Sequence, residues 1–257
     1  MRKFIVFLTV ALLTSAYSFA QEFKTSFGSS NGNTITINIF DCDLIVQGHD
    51  SKDVIITAKG YKAPPKRAEG LKPLYNTFSD NTNIGLSVKA EGSSITVDRA
   101  SREDIDYTIK VPKGTNVIIN EMNYYGDGFT VKDISGEIEI NSKSSDIKLV
   151  NVTGPVVASS TNGNFEAVFS KLNQNKPISI KCINGYIDIT LPGNTKANLE
   201  MKSMNGEVYT NFEVEQAADA NDPQYNTAAK KIDAKINGGG ILLSLYATND
   251  DIYLRKK

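Results

Sequence analysis

ISGEIEI (134–140), TNGNFEA (161–167), INGYIDI (183–189) and MNGEVYT (204–210) are four versions of one short phrase. Each places a small turn ahead of a strand in which alternate residues tend to be apolar. A period of two turns one face of a strand toward an interior and the other toward water. A strand with two or three apolar residues cannot bury that face alone. Stacking successive units about 4.8 Å apart lets each one hydrogen-bond to the next and extends one core. The pattern predicts that Ile138, Ile140, Ile147, Leu149, Phe165, Ala167, Phe169, Ile187, Ile189, Val208 and Phe212 lie inside. A series of hairpins in a sandwich is the competing arrangement, since Asn-Gly turns favour hairpins as well.

Outward from these phrases the punctuation continues. Ser135-Gly136, Thr153-Gly154, Asn162-Gly163, Asn184-Gly185, Asn205-Gly206 and Asn237-Gly238 read as structural turns, because Asn and Gly tolerate positive φ. Upstream, Ile35, Ile37 and Ile39 alternate with Thr36 and Asn38, and short strands recur up to Val111. Residues 60–83 hold Pro64, Pro65, Pro73 and Lys66-Arg67 and read as a long surface loop. Residues 215–227 read as a loop or one short helix ending before Pro223. Arg255-Lys256-Lys257 follow the last strand, where they would protect an open sheet end from pairing. The organisation expected is all-β: a signal over 1–20, an irregular β region over 21–111, and a repeat-containing β domain over 112–257.

The 257 residues carry 28 basic and 29 acidic side chains. Arg2 and Lys3 precede an apolar run, Phe4 to Leu13, that is about half of a membrane span. Ser18-Phe19-Ala20 then offers small residues to a signal peptidase, so the mature chain is expected to start at Gln21 outside the cytoplasm. A signal anchor is the alternative. Processing would leave 26 basic against 29 acidic residues, with no later stretch of transmembrane length. That balance gives no support to a nucleic-acid binder, which normally carries a concentrated positive face. Cys42 and Cys182 both alternate with apolar neighbours and read as buried thiols, with a disulfide left open because it needs Cα atoms within roughly 7 Å.

Candidate chemistry is sparse. His49 is the one histidine. It sits in a polar turn, and no G-x-S-x-G element accompanies it. One histidine and two separated cysteines do not make a zinc site. Asp41, Asp43, Asp98, Glu103, Asp104, Asp250 and Asp251 could offer oxygen ligands to calcium, but turn-capping accounts for them. Glu137 and Glu139, alternate residues on one strand face, fall at a spacing that glycoside hydrolysis could use. No cofactor and no metal is expected. Tyr124-Tyr125 beside a glycine turn, and Tyr61 and Tyr75 in the long loop, are candidate contacts for a sugar or a protein partner.

The four phrases, with VPKG (111–114), INGGG (236–240) and TNDDIYL (248–254), resemble the putative-adhesin family of bacterial envelope proteins. The resemblance covers residues 131–257, about half of the mature chain. It implies a β-solenoid, or single-stranded β-helix, of stacked short strands. The function of that family is largely unassigned. With the signal and the sparse chemistry, the expectation is a non-enzymatic exported protein, periplasmic, outer-membrane-associated or secreted, that binds or scaffolds. A cell-surface glycan or an envelope protein would be its partner. An accessory role in envelope stress or signalling, and a carbohydrate-active enzyme on the same scaffold, are the alternatives.

Overall fold

The computed structural model describes residues 21–28, 31–71, 73–74, 76–123, 128–216 and 231–257. The signal reading of residues 1–20, Tyr75, Tyr124, Tyr125 and Pro223 lie outside the described residues. The described chain is all-β apart from one 3₁₀ turn at Lys66–Ala68. Its strands, numbered β1 to β21 along the chain, form a ten-stranded sheet A and an eleven-stranded sheet B around one hydrophobic core.

Each coil gives one strand to each sheet. β8 (Asn116–Glu121), β10 (Ile138–Ser142), β12 (Val156–Asn162) and β14 (Ile178–Asn184) are parallel neighbours in sheet B. β9 (Gly128–Lys132), β11 (Asp146–Val152), β13 (Phe165–Phe169) and β15 (Ile187–Leu191) do the same in sheet A. Register puts like residues in rows: Ile140 beside Ala158 and Ile180, Phe165 beside Ile147 and Ile187. All six are buried. This is the stacked arrangement that the period-two pattern predicts, a β-solenoid-like fold.

Both ends depart from simple succession. β2 (Thr34–Ile39) and β3 (Asp43–His49) lie between the β8/β9 coil and a later one, β6 (Ser94–Arg99) with β7 (Asp106–Pro112). β20 (Ile241–Ala247) and β21 (Ile252–Lys256) enter between β14/β15 and the earlier coil β16 (Ala197–Ser203) with β17 (Val208–Thr210). The last strand is therefore interior, and Arg255 and Lys256 do not guard a sheet end. The edge of sheet A is β17, which is why Val208 is only partly buried while Phe212, expected inside with it, is buried.

Antiparallel strands close the stack. β4 (Asp53–Lys59) and β1 (Gln21–Ser26) extend sheet A beyond β7, and β5 (Leu86–Glu91) pairs with β6. β19 (Lys231–Ile236) and β18 (Glu215–Gln216) extend sheet B beyond β16. β18 falls in the stretch expected to be loop or helix.

The turn glycines serve two different needs. Gly163 and Gly185 have φ of 118° and 136°, the conformation that favours glycine. Gly136, Gly154 and Gly206 do not; they are glycine because the neighbouring coil is too close. A Cβ on Gly154 would lie 1.7 Å from the Gly136 carbonyl oxygen, and one on Gly136 would lie 2.2 Å from that of Thr115. The phrases themselves are not equivalent, since ISGEIEI leads into sheet B and the other three lead into sheet A.

Where Ser144-Ser145 stands in place of a turn glycine, Glu121 organises the corner. Its carboxylate is buried and accepts hydrogen bonds from the Ser142 and Ser145 hydroxyls and the Lys143 and Ser144 amides, at 2.6–2.8 Å. Burial alone would raise its pKa, but the donors outweigh burial and hold it below the ordinary glutamate value.

Candidate functional site

Along one row of corners the asparagines form a continuous amide ladder. Asn184 donates to Asn162 at 2.8 Å, Asn249 to Asn184 at 2.6 Å, and Asn205 to Asn249 at 2.7 Å. The chain order 162, 184, 249, 205 reproduces the insertion of the last coil. A second ladder runs over the outer face of sheet B, where Asn141 donates to Asn120, Asn120 to Asn38, and Asn38 to Asp98, at 2.8–3.1 Å. Each interior amide thus donates to one neighbour and accepts from the next, which holds the coils in register.

Residues singled out from the sequence fall in several places. Tyr61 packs against the core and its hydroxyl donates to Asp80 at 3.4 Å. Asp80 in turn accepts from the amides of Thr82, Asn83 and Gly85 at 2.8–2.9 Å, fixing the end of the 60–83 segment. Among the described residues of that segment, Leu71, Leu74 and Phe78 are exposed large apolar side chains. His49 has its Nε2 2.8 Å from the carbonyl oxygen of Asp53 and borders a depression of about 500 Å³ with Asp50, Lys113 and Asp133. Asp50 pairs with Lys113 at 2.8 Å. Gly238 lies in an open turn at φ 80°.

Glu137 and Glu139 line a separate depression of about 370 Å³ on the outer face of sheet B. Glu137 is ion-paired with Lys176, and Glu139 accepts from the Asn141 amide at 3.2 Å. Cys42 and Cys182 are free and buried, and burial pushes both thiols up to about 12. Cys42 follows β2 while Cys182 lies in β14, four strands along sheet B. That separation is roughly 19 Å, well outside disulfide range. Among the described residues, no three His, Cys, Asp or Glu side chains cluster to hold a metal ion, and no helix is long and apolar enough to cross a membrane.

The densest grouping of recognition chemistry is one that inspection of the sequence missed. On the outer face of sheet A, register aligns Glu166, Asp188, Tyr253 and Tyr209 in one row across β13, β15, β21 and β17. The Tyr209 and Tyr253 rings stack 5.4 Å apart at 12°, and Tyr186 meets Tyr253 edge-on at 6.2 Å. Arg255 lies 5.3 Å from the Tyr253 ring centre, and its Nε donates to both Asp188 oxygens at 2.8 and 2.9 Å. The Tyr186 hydroxyl donates to Glu166 at 2.7 Å, and the Tyr253 hydroxyl to Asp251 at 2.8 Å. The bond to Glu166, helped by burial, pushes the Tyr186 phenol up to about 12. Asp251 is held below its usual range by the Glu207 amide and the Tyr253 hydroxyl.

Comparison with known proteins places the central coils. Residues 133–244 match the family model described as Toastrack DUF4097. That stretch is similar to a toastrack domain. The model spans β10 to the middle of β20, while the stack continues through further coils on the N-terminal side and through β21 on the other. A solved structure described as a "putative cell adhesion protein" from Clostridium sporogenes ATCC 15579 is 10% identical, with a TM-score of 0.50. The match covers 93% of this chain and 100% of that one. A "putative adhesin" from Bacteroides fragilis NCTC 9343 matches at 12% identity over 92% of this chain and 97% of that one, with a TM-score of 0.38. No curated protein matches the sequence. At such identities the likeness concerns the fold.

Proposed function

We propose that this chain is an exported, non-enzymatic protein of the cell envelope or surface that works by binding. The observation that carries this reading is the use to which its reactive groups are put. Glu137 is spent on Lys176, His49 faces a backbone carbonyl, and both thiols are buried with their ionisation suppressed. Its broad outer faces carry the recognition chemistry instead, on a toastrack-like scaffold one of whose structural neighbours is described as a "putative cell adhesion protein".

The test is to express the full chain in a bacterial host and label intact cells with an impermeant amine reagent. The N-terminus of the recovered protein is then sequenced, and the purified protein is assayed on envelope material for both retention and sugar release. A start at Gln21 and retention without release are expected, and labelling distinguishes a surface location from a periplasmic one. A cytoplasmic protein that retains Met1, or sugar release abolished by Glu137→Gln, would overturn the reading.

A further inference from the structure

We propose that the tyrosine row on the outer face of sheet A is a binding platform for a neutral pyranose glycan, with Tyr209 as the ring on which a sugar lies. This names a ligand class for the binding role above and rests on it.

The argument starts from the edge of the sheet. Tyr209 belongs to β17, the last strand of sheet A. One face of its ring is covered by Tyr253, stacked nearly parallel. Among the described residues no strand lies beyond it, and the side chain remains 52% exposed. With Tyr253 and Tyr186 it forms a group of three rings on one rigid sheet face, the outermost held in orientation by its neighbour, and such grouped surface aromatics mark contact surfaces. The C–H-bearing face of a pyranose ring suits the electron-rich face of a phenol ring, while its hydroxyls demand polar partners at the rim.

Those partners are present and already oriented. Asp251 bonds the Tyr253 hydroxyl, Glu166 bonds the Tyr186 hydroxyl, and Asp188 is clamped by Arg255. Each carboxylate has further lone pairs for hydroxyl donors. A few fixed polar groups around an aromatic surface is the usual composition of a small-molecule site.

Charge selects the class of sugar. Three carboxylates, Glu166, Asp188 and Asp251, stand against two cations, Arg255 and Lys148, the latter 3.8 Å from Glu166. Both cations are already paired, so among the described residues of this row a uronate, sulfate or phosphate would meet net negative charge and no free cation.

Affinity electrophoresis of the full mature protein tests this. The gels contain yeast mannan, soluble starch, a β-1,3-glucan or hydroxyethyl cellulose, with polygalacturonate and hyaluronate as acidic comparators. Retardation by at least one neutral polymer and by neither acidic one is expected. Tyr209→Ala is expected to weaken that retardation at least tenfold, while Tyr209→Phe keeps it, because the ring is what the sugar touches. Tyr246→Ala, on the other sheet, should leave it unchanged. The melting temperature of each variant separates lost binding from lost folding. The proposal is overturned if no neutral polymer retards the protein, if an acidic one does so better, or if Tyr209→Ala binds as well as wild type. It is overturned equally if Tyr209 instead proves to support self-association at the β17 edge. Retention on whole envelope material that survives Tyr209→Ala would sink this site while leaving the broader binding role standing.

Discussion

Replacing Gly154 by alanine isolates the contact between coils. The new Cβ would sit 1.7 Å from the Gly136 oxygen, whereas a carbon and an oxygen settle no closer than about 3.3 Å. The two corners must separate by roughly 1.6 Å at that point. On either side of it, Thr153 N donates to the Ile134 oxygen at 3.1 Å and Ile138 N to the Pro155 oxygen at 2.9 Å. Losing both costs about 2 kcal/mol, and overpacking adds about 1 kcal/mol or more. The expected destabilisation is about 3 kcal/mol, or a melting temperature lower by roughly 6–12 °C for a chain of this size. Two other glycines calibrate the figure. Gly114 has open space around it and no positive φ, so Gly114→Ala should stay within about 0.5 kcal/mol of wild type. Gly238 also has open space but a φ of 80°, so Gly238→Ala should cost about 1 kcal/mol through backbone strain alone. Urea unfolding followed by circular dichroism reads all three. If Gly154→Ala proves no more costly than Gly238→Ala, close packing of coils is not what selects glycine at these corners.

Glu121→Ala should destabilise by about 3 kcal/mol, because the Lys143, Ser144 and Ser145 amides lose a buried acceptor; chemical denaturation measures it. Since the Glu121 pKa is lowered on folding, its contribution is complete above the unfolded value near 4.5 and is lost as pH falls through the folded value. An acid titration of stability should therefore show a steeper fall below about pH 4.5 in wild type than in Glu121→Gln. Asn184→Ala removes the middle of the amide ladder and should cost about 1 kcal/mol, with faster amide exchange at Gly163 and Asn249 as the readout. Cys42 and Cys182 should resist a thiol-reactive dye at pH 8 in the native protein and react stoichiometrically once it is unfolded.

The central coils were legible because period two assigns a side to every residue of a short strand. Ile138, Phe165 and Ile187 sit inside for the same reason that Glu139, Glu166 and Asp188 sit outside. Strand order was not legible, since ILLSLYA (241–247) alternates no differently from a strand that follows its predecessor. β1 escaped notice because QEFKTS carries one large apolar residue, which suffices for a strand paired with β4 at the edge. The tyrosine row escaped for the reason strand order did. Tyr253 reaches Tyr209 only because β21 enters beside β17. One signal was available: counted from Gly206 and from Asp250, Tyr209 and Tyr253 occupy the same third position of their units. Tyr61, by contrast, stands out only by the composition of its loop, which carries no information about the bond its hydroxyl makes with Asp80.

The coils slipped in near each end have a consequence for how such a molecule can change in length. In a plain spiral, the terminal turns are free to be shed or duplicated. Here the segment 34–49 is wedged by later residues and the segment 241–256 by earlier ones. Cutting the chain before Ile241 would leave a slot between β14/β15 and β16/β17 rather than a shorter rod. Between β8 and β15 the coils follow one another in chain order, so a whole turn added or removed there would disturb neither insertion.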